Sequence, residues 1–169
     1  ITVSDSGGTV IDEAGFTPEK LAILMQIKNV EYGRCSEYAA RVGAKFVPGA
    51  TPWHVPAELA FPSATENELN AADAKILIKN GLIAVGEGAN MPSTIEAAYM
   101  FEEARVLYGP GKAANAGGVA TSGLEMAQSS QRLYWDREEV DRRLAGIMKA
   151  IHTQCVTYGT RPDGTVSYI

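Results

Sequence analysis

Four stretches of this chain gather small, hydroxyl-bearing and amide-bearing residues at spacings that suit the binding of a nucleotide. The segment Gly111-Lys112-Ala113-Ala114-Asn115-Ala116-Gly117-Gly118-Val119-Ala120-Thr121-Ser122-Gly123-Leu124-Glu125-Met126 carries four glycines in sixteen residues. A ligand can therefore come close to its backbone, and Asn115 and Ser122 offer hydrogen bonds without charge. Gly86-Glu87-Gly88-Ala89-Asn90-Met91-Pro92 and Ala64-Thr65-Glu66-Asn67-Glu68-Leu69 are also rich in small and polar residues. The opening residues, Ile1 to Val10, read as a short apolar strand running into the turn Asp5-Ser6-Gly7-Gly8. An acidic, hydroxyl-rich tip of that kind faces a ribose where a nucleotide-binding α/β sheet ends its strand. The glycine turn G-x-G-x-x-G expected to precede such a strand does not occur in the sequence.

The elements that position these tips follow from the pattern of apolar and punctuating residues. Thr17-Pro18-Glu19 opens a helix from about 18 to 31, with Ile23, Leu24, Ile27 and Val30 at helical spacing. A second helix, Ser36 to Val42, stops at Gly43 and gives way to a strand at 44–47. A strand at 58–62 ends at its proline, and Thr65 with Glu68 forms a capping box for a helix carrying Leu69, Ala72 and Ile76. The apolar run Leu82 to Val85 reads as a strand covered on both faces. Ser93 and Glu96 cap the next helix, and Val106 to Tyr108 form a further strand. The remainder is helical: Ser122 to about Leu133, then a long helix capped by Asp136 and Glu139 with an apolar stripe from Val140 to Cys155. Strands alternating with helices imply an α/β fold with a mostly parallel, doubly wound sheet whose ligands sit at the carboxyl ends of the strands.

Composition narrows the partners. A net charge of −5 with scattered Lys and Arg argues against nucleic acid. No apolar run is long enough to span a bilayer. Cys35 and Cys155 lie far apart with no C-x-x-C pattern, so both read as reduced thiols, which fits a cytoplasmic setting. His54 and His152 have no neighbours at metal-ligand spacing, and no metal is assigned.

In their order and spacing, the three segments beginning at Gly111, Gly86 and Ala64 resemble the hexameric glutamate dehydrogenases, particularly the NADP-dependent branch of the glutamate/leucine/phenylalanine/valine dehydrogenases. The resemblance covers almost the whole chain. It implies that residues 1–169 form one domain, most of a Rossmann-like coenzyme-binding domain. The catalytic lysine and aspartate, the first strand with its glycine turn, and a final helix would lie outside this sequence. The implied reaction of the complete protein is reversible, NADP-dependent oxidative deamination of L-glutamate to 2-oxoglutarate and ammonia by a homo-hexamer. This chain alone is expected to be inactive and to expose unpaired strand edges.

By the same resemblance, Asp5 and Ser6 face the adenine ribose, with Lys28 and Arg34 near the 2′-phosphate. A carboxylate by itself would favour the free 2′-hydroxyl of NAD, whereas Ser6 and two cations favour NADP. Read without the resemblance, Lys28 and Arg34 are solvated surface charges. Ala64, Thr65 and Asn67 match contacts along the ribose and nicotinamide side, and Gly88, Asn90 and Asn115 match the nicotinamide end. Thr65 also reads as a helix cap and Asn90 as a turn residue. Val119 and Ser122 match the pair that recognises the far end of the substrate side chain, where a serine hydroxyl suits a γ-carboxylate; Ser122 also reads as the N-cap of a Ser-x-x-Glu box. The rival readings are a relative acting on a branched-chain or aromatic amino acid, and a non-catalytic nucleotide-binding or assembly module.

Overall fold

A computed structural model describes residues 1–168. In chain order its elements are β1 (Thr2–Asp5), β2 (Gly8–Ile11), α1 (Pro18–Asn29), α2 (Cys35–Val42) and β3 (Lys45–Pro48), then a 3-10 turn at Pro52–His54. There follow β4 (Leu59–Ala60), α3 (Ala71–Lys79), β5 (Ala84–Gly86), α4 (Ile95–Glu103), β6 (Leu107–Gly109), α5 (Gly111–Ala114), α6 (Ala116–Gln131) and α7 (Arg137–Gly159). The strands form two three-stranded sheets. β4, β5 and β6 are parallel in that order, as the strand–helix alternation predicts, whereas β1, β2 and β3 are antiparallel.

The antiparallel sheet arises because the opening strand turns straight back. Asp5 pairs with Gly8 across a tight hairpin, and the Gly7 amide donates to the Asp5 Oδ1 at 2.9 Å. Gly8 has φ of 141°, and a Cβ there would lie 2.3 Å from the Val47 carbonyl oxygen, so only glycine lets β3 approach. The β-branched run Thr9-Val10-Ile11 after the Gly-Gly pair was the available signal for β2.

Each sheet has its own core. Val10, Ile27, Cys35, Tyr38 and Ala39 are buried together under the antiparallel sheet, and Leu69, Leu77, Val85, Ala97 and Phe101 are the centre of the cluster under the parallel one. β1 and β4 are each the edge strand of their own sheet, and Ile1 to Ser4 and Glu58 to Phe61 line one open cleft of about 740 Å³.

Three helix starts differ from the sequence expectation, each for a local reason. Residues 64–69 form a turn followed by a bridge residue instead of a helix, because the Asn67 amide donates to the Met91 carbonyl at 3.0 Å and the Leu69 amide to the Pro92 carbonyl at 2.9 Å. The cap of α3 is therefore Asn70, whose side chain accepts from the amides of Ala72 and Asp73, and not Thr65. For α4, the Ser93 amide is taken by the Glu87 carboxylate at 3.3 Å, and Thr94 caps instead. Helix α6 begins at Ala116, six residues before the expected start. Ser122 is thus mid-helix, its hydroxyl donating back to the Gly118 carbonyl at 3.3 Å. The alanine-rich composition carries helix through the glycine pair that reads as loop.

Candidate functional site

The hairpin tip, α1 and α2 bring Asp5, Ser6, Lys28 and Arg34 together. The Asp5 Oδ2 accepts from the Cys35 amide at 2.9 Å, on the first turn of α2, and from the Lys28 ammonium at 3.4 Å. Lys28 is also tied to the Gly33 carbonyl at 3.1 Å, and the Arg34 guanidinium donates to the Ser6 hydroxyl at 2.8 Å. Burial opposes the charge on Asp5, but the amides of Cys35 and Gly7 and the Lys28 ammonium outweigh it and hold the carboxyl at about 2. The Cys35 thiol behind it is pushed up to about 11, by burial first and then by the Asp5 charge, so it stays protonated. With its side chain only 12% exposed, Asp5 turns its charge inward. Ser6 and Arg34 form the outer face of the cluster, and both are exposed.

This arrangement makes Asp5 a stabiliser with a defined pH window. Its folded-state pKa lies below the ordinary 3.8, so its contribution is complete above that pH and is lost as pH falls through about 2. Asp5→Asn is expected to lower unfolding free energy by on the order of 2 kcal/mol at pH 7, with the difference from wild type shrinking as pH approaches 2. Urea titrations at several pH values check this; a difference independent of pH contradicts it.

The second group forms at the tips of the parallel strands. Gly88 packs so closely on Ser63 that a Cβ would meet the Ser63 hydroxyl at 2.4 Å, and the amides of Gly88 and Ala89 both donate to the Pro62 carbonyl. The Ala64 amide donates to the Glu68 Oε1 at 2.8 Å, which fixes the loop that holds Thr65 and Asn67. Asn67 and Met91 both lie in the left-handed region, with φ of 55° and 49°, and are bonded backbone to backbone. Backbone strain of this kind persists where surrounding structure enforces it. Asn115 ends α5 and begins α6, and its Nδ2 donates to the Gly88 carbonyl.

Beneath this loop lies a group that the sequence reading passed over. Glu87 is 3% exposed, and its carboxylate accepts from the Tyr108 hydroxyl at 2.8 Å and the Gly111 amide at 2.6 Å as well as from Ser93. A carboxylate flanked by two glycines at the end of an apolar strand was the signal for it. Gly111 is equally constrained: a Cβ would meet the Ala89 carbonyl oxygen at 2.7 Å and the Met91 amide nitrogen at 3.3 Å. Gly111→Ala is expected to cost about 1–3 kcal/mol of stability, read as a lower urea midpoint. An unchanged midpoint contradicts the packing described.

The third group, Val119 and Ser122, lies on α6 one and two turns beyond Asn115. Val119 is 75% exposed and Ser122 is exposed, three residues apart and so on one helix face. Direct hydrogen bonds join Asp5 with Lys28, Ser6 with Arg34, and Gly88 with Asn115. Among the described residues none joins Asp5, Asn90 and Ser122 to one another. Nor does any group of three or more His, Cys, Asp or Glu among the described residues stand close enough to hold a metal ion.

The family model for Glutamate/Leucine/Phenylalanine/Valine dehydrogenase matches residues 1–167. The chain belongs to this family. It is 59% identical over 159 residues to an NADP-specific glutamate dehydrogenase of Salmonella typhimurium, covering 94% of this chain and 36% of that protein. It is 55% identical over 169 residues to an NAD(P)-specific glutamate dehydrogenase of Xylanibacter ruminicola, covering all of this chain and 38% of the relative. The crystal structure of Plasmodium falciparum glutamate dehydrogenase superposes with a TM-score of 0.85 at 49% identity, over 94% of this chain and 34% of that one. The chain thus spans little more than a third of the curated relatives it matches. The parallel sheet β4-β5-β6 and the long helices α6 and α7 are the α/β architecture that the strand–helix alternation predicts, and the family match extends over the antiparallel hairpin β1-β2 as well.

Proposed function

We propose that this chain is the greater part of the coenzyme-binding domain of an NADP-dependent glutamate dehydrogenase. The complete protein oxidises L-glutamate to 2-oxoglutarate and ammonia, or runs the reverse, as a homo-hexamer in the cytoplasm. The observation that carries the reading is the distribution of charge at the Asp5 turn. A carboxylate free to face the ribose would repel a 2′-phosphate. Here three donors, the amides of Gly7 and Cys35 and the Lys28 ammonium, satisfy Asp5, and the groups left outward are the Ser6 hydroxyl and the Arg34 guanidinium. Guanidinium and hydroxyl together suit a phosphate monoester. The names of the relatives support the same coenzyme and substrate.

In this reading Ala64, Thr65 and Asn67 line the ribose path, and Gly88, Asn90 and Asn115 receive the nicotinamide. Val119 and Ser122 meet the substrate side chain, the Ser122 hydroxyl donating to the γ-carboxylate. Because Asn70 and not Thr65 caps α3, and because Ser122 is mid-helix, neither residue is needed as a cap. Steady-state assays of the full-length protein with glutamate and with leucine, each with NADP and NAD, test the assignment. Preference for glutamate and NADP is expected. Preference for leucine, or turnover by residues 1–169 alone, contradicts it.

A further inference from the structure

We propose that Glu87 is a positioning residue, whose buried carboxylate locks the β5-tip loop against the start of α5 so that Asn90 and Asn115 meet the nicotinamide half of the coenzyme. The proposal rests on the reading of the site as an NADP site. Glu87 follows β5 directly, and its own amide donates to the Gly109 carbonyl at 3.0 Å. The three donors to its carboxylate come from three places: Tyr108 in β6, Gly111 at the first position of α5, and Ser93, which closes the loop begun at Gly88. Among the described residues no cation pairs with it. A buried anion without a cation is costly, and packing alone would be served by an apolar or amide side chain. What the carboxylate adds is two acceptor oxygens at fixed separation, Oε1 for Ser93 and Tyr108 and Oε2 for Gly111.

The two segments joined in this way are those that bear the Asn90 and Asn115 amides. On one side, Gly88 and Ser93 bracket Asn90, and the Ser93 amide is held by Glu87. On the other, α5 runs from Gly111, held by Glu87, to Asn115, whose Nδ2 returns to the Gly88 carbonyl. The circuit closes through one side chain. Burial raises the Tyr108 phenol well above its ordinary range, and the Glu87 bond adds to it, so the hydroxyl remains a donor at any working pH. A glutamine at 87 has the same shape but places an NH₂ against either the Gly111 or the Ser93 amide, and a backbone N–H cannot reverse its polarity.

The test uses the full-length protein, wild type, Glu87→Gln and Tyr108→Phe, with dissociation constants for NADP and for 2′,5′-ADP by calorimetry and kcat and KM for NADP. The second ligand carries only the adenosine half and reports the intact Asp5 turn. Glu87→Gln is expected to weaken NADP at least 10-fold, toward its affinity for 2′,5′-ADP, while the latter changes less than twofold; kcat falls as KM rises. Tyr108→Phe, which keeps the ring against Phe101 and removes one of three donors, is expected to show the same split at about threefold. NADP affinity unaltered in Glu87→Gln, or equal losses for both ligands, overturns the proposal. If Glu87→Gln does not fold, Tyr108→Phe decides it by the same split. A wild type that binds neither ligand sinks the coenzyme reading itself, and this outcome is distinct from a wild type that binds both while the variants match it.

Discussion

Replacing Ser122 by leucine in the full-length protein is expected to lower kcat/KM for glutamate by about 10²- to 10³-fold and to raise relative activity toward leucine. A site built to hydrogen-bond a charged side chain rejects an apolar one because buried polar groups are left unpaired, and the converse holds when the hydroxyl is removed. The structure leaves the serine free for this task. Among the described residues its hydroxyl makes one hydrogen bond, a back-donation to the Gly118 carbonyl, a position where serine is mildly unfavourable to a helix. Helix α6 does not depend on it, since the helix begins at Ala116 and its last turn ends at Arg132 in the left-handed conformation. Circular dichroism of the variant should therefore match wild type. A variant with unchanged discrimination between glutamate and leucine contradicts the substrate-side assignment of Val119 and Ser122.

Arg34→Ala is expected to weaken NADP by about 10- to 100-fold and to leave NAD within a factor of about two, since one charge-assisted hydrogen bond is lost to a group that only NADP carries. The two cations of the cluster are not equivalent. Lys28 is committed to Asp5 and the Gly33 carbonyl, so Lys28→Ala disturbs the turn itself and is expected to weaken both coenzymes. Among the described residues the Arg34 guanidinium donates to Ser6 alone and can exchange that bond for a phosphate oxygen. Fluorescence titration reading Trp53, whose indole donates to the Glu68 carbonyl beside the Thr65 loop, measures both constants. Equal losses for the two coenzymes in Arg34→Ala contradict a 2′-phosphate contact.

Much of the architecture was legible because it depends on local signals. Thr17 with Pro18 starts α1, Gly43 with φ of 71° ends α2, and Asp136 caps α7, each as its residue type predicts. The apolar run at 82–85 announced a strand, though pairing shifts it to Ala84–Gly86 because the amides of Ile83 and Ala84 both turn to the Glu58 carbonyl. What stayed illegible depends on partners distant in sequence. Thr65 with Glu68 and Ser93 with Glu96 each satisfy the capping pattern, but the long-range bonds of Asn67, Leu69 and Ser93 to residues 87–92 keep these segments out of helix.

The site was legible in the same uneven way. Residue types pointed to Asp5 and Ser6 and the resemblance added Asn90, and the structure joins Asp5 and Ser6 to the two cations that read as solvated charges without it. Nothing local could show that Asp5 is turned inward by the Cys35 amide, 30 residues away, or that Glu87 gathers donors from three elements. Both facts belong to the approach of α2 to the hairpin and of α5 to β5.

The most direct measurement is the structure of the full-length protein with NADP bound. The account predicts the 2′-phosphate between the Ser6 hydroxyl and the Arg34 guanidinium, with Asp5 still held by the Cys35 amide, and the nicotinamide beside Asn90 and Asn115. A 2′-phosphate bound away from Ser6 and Arg34, or an Asp5 carboxylate turned out onto the ribose, would contradict it.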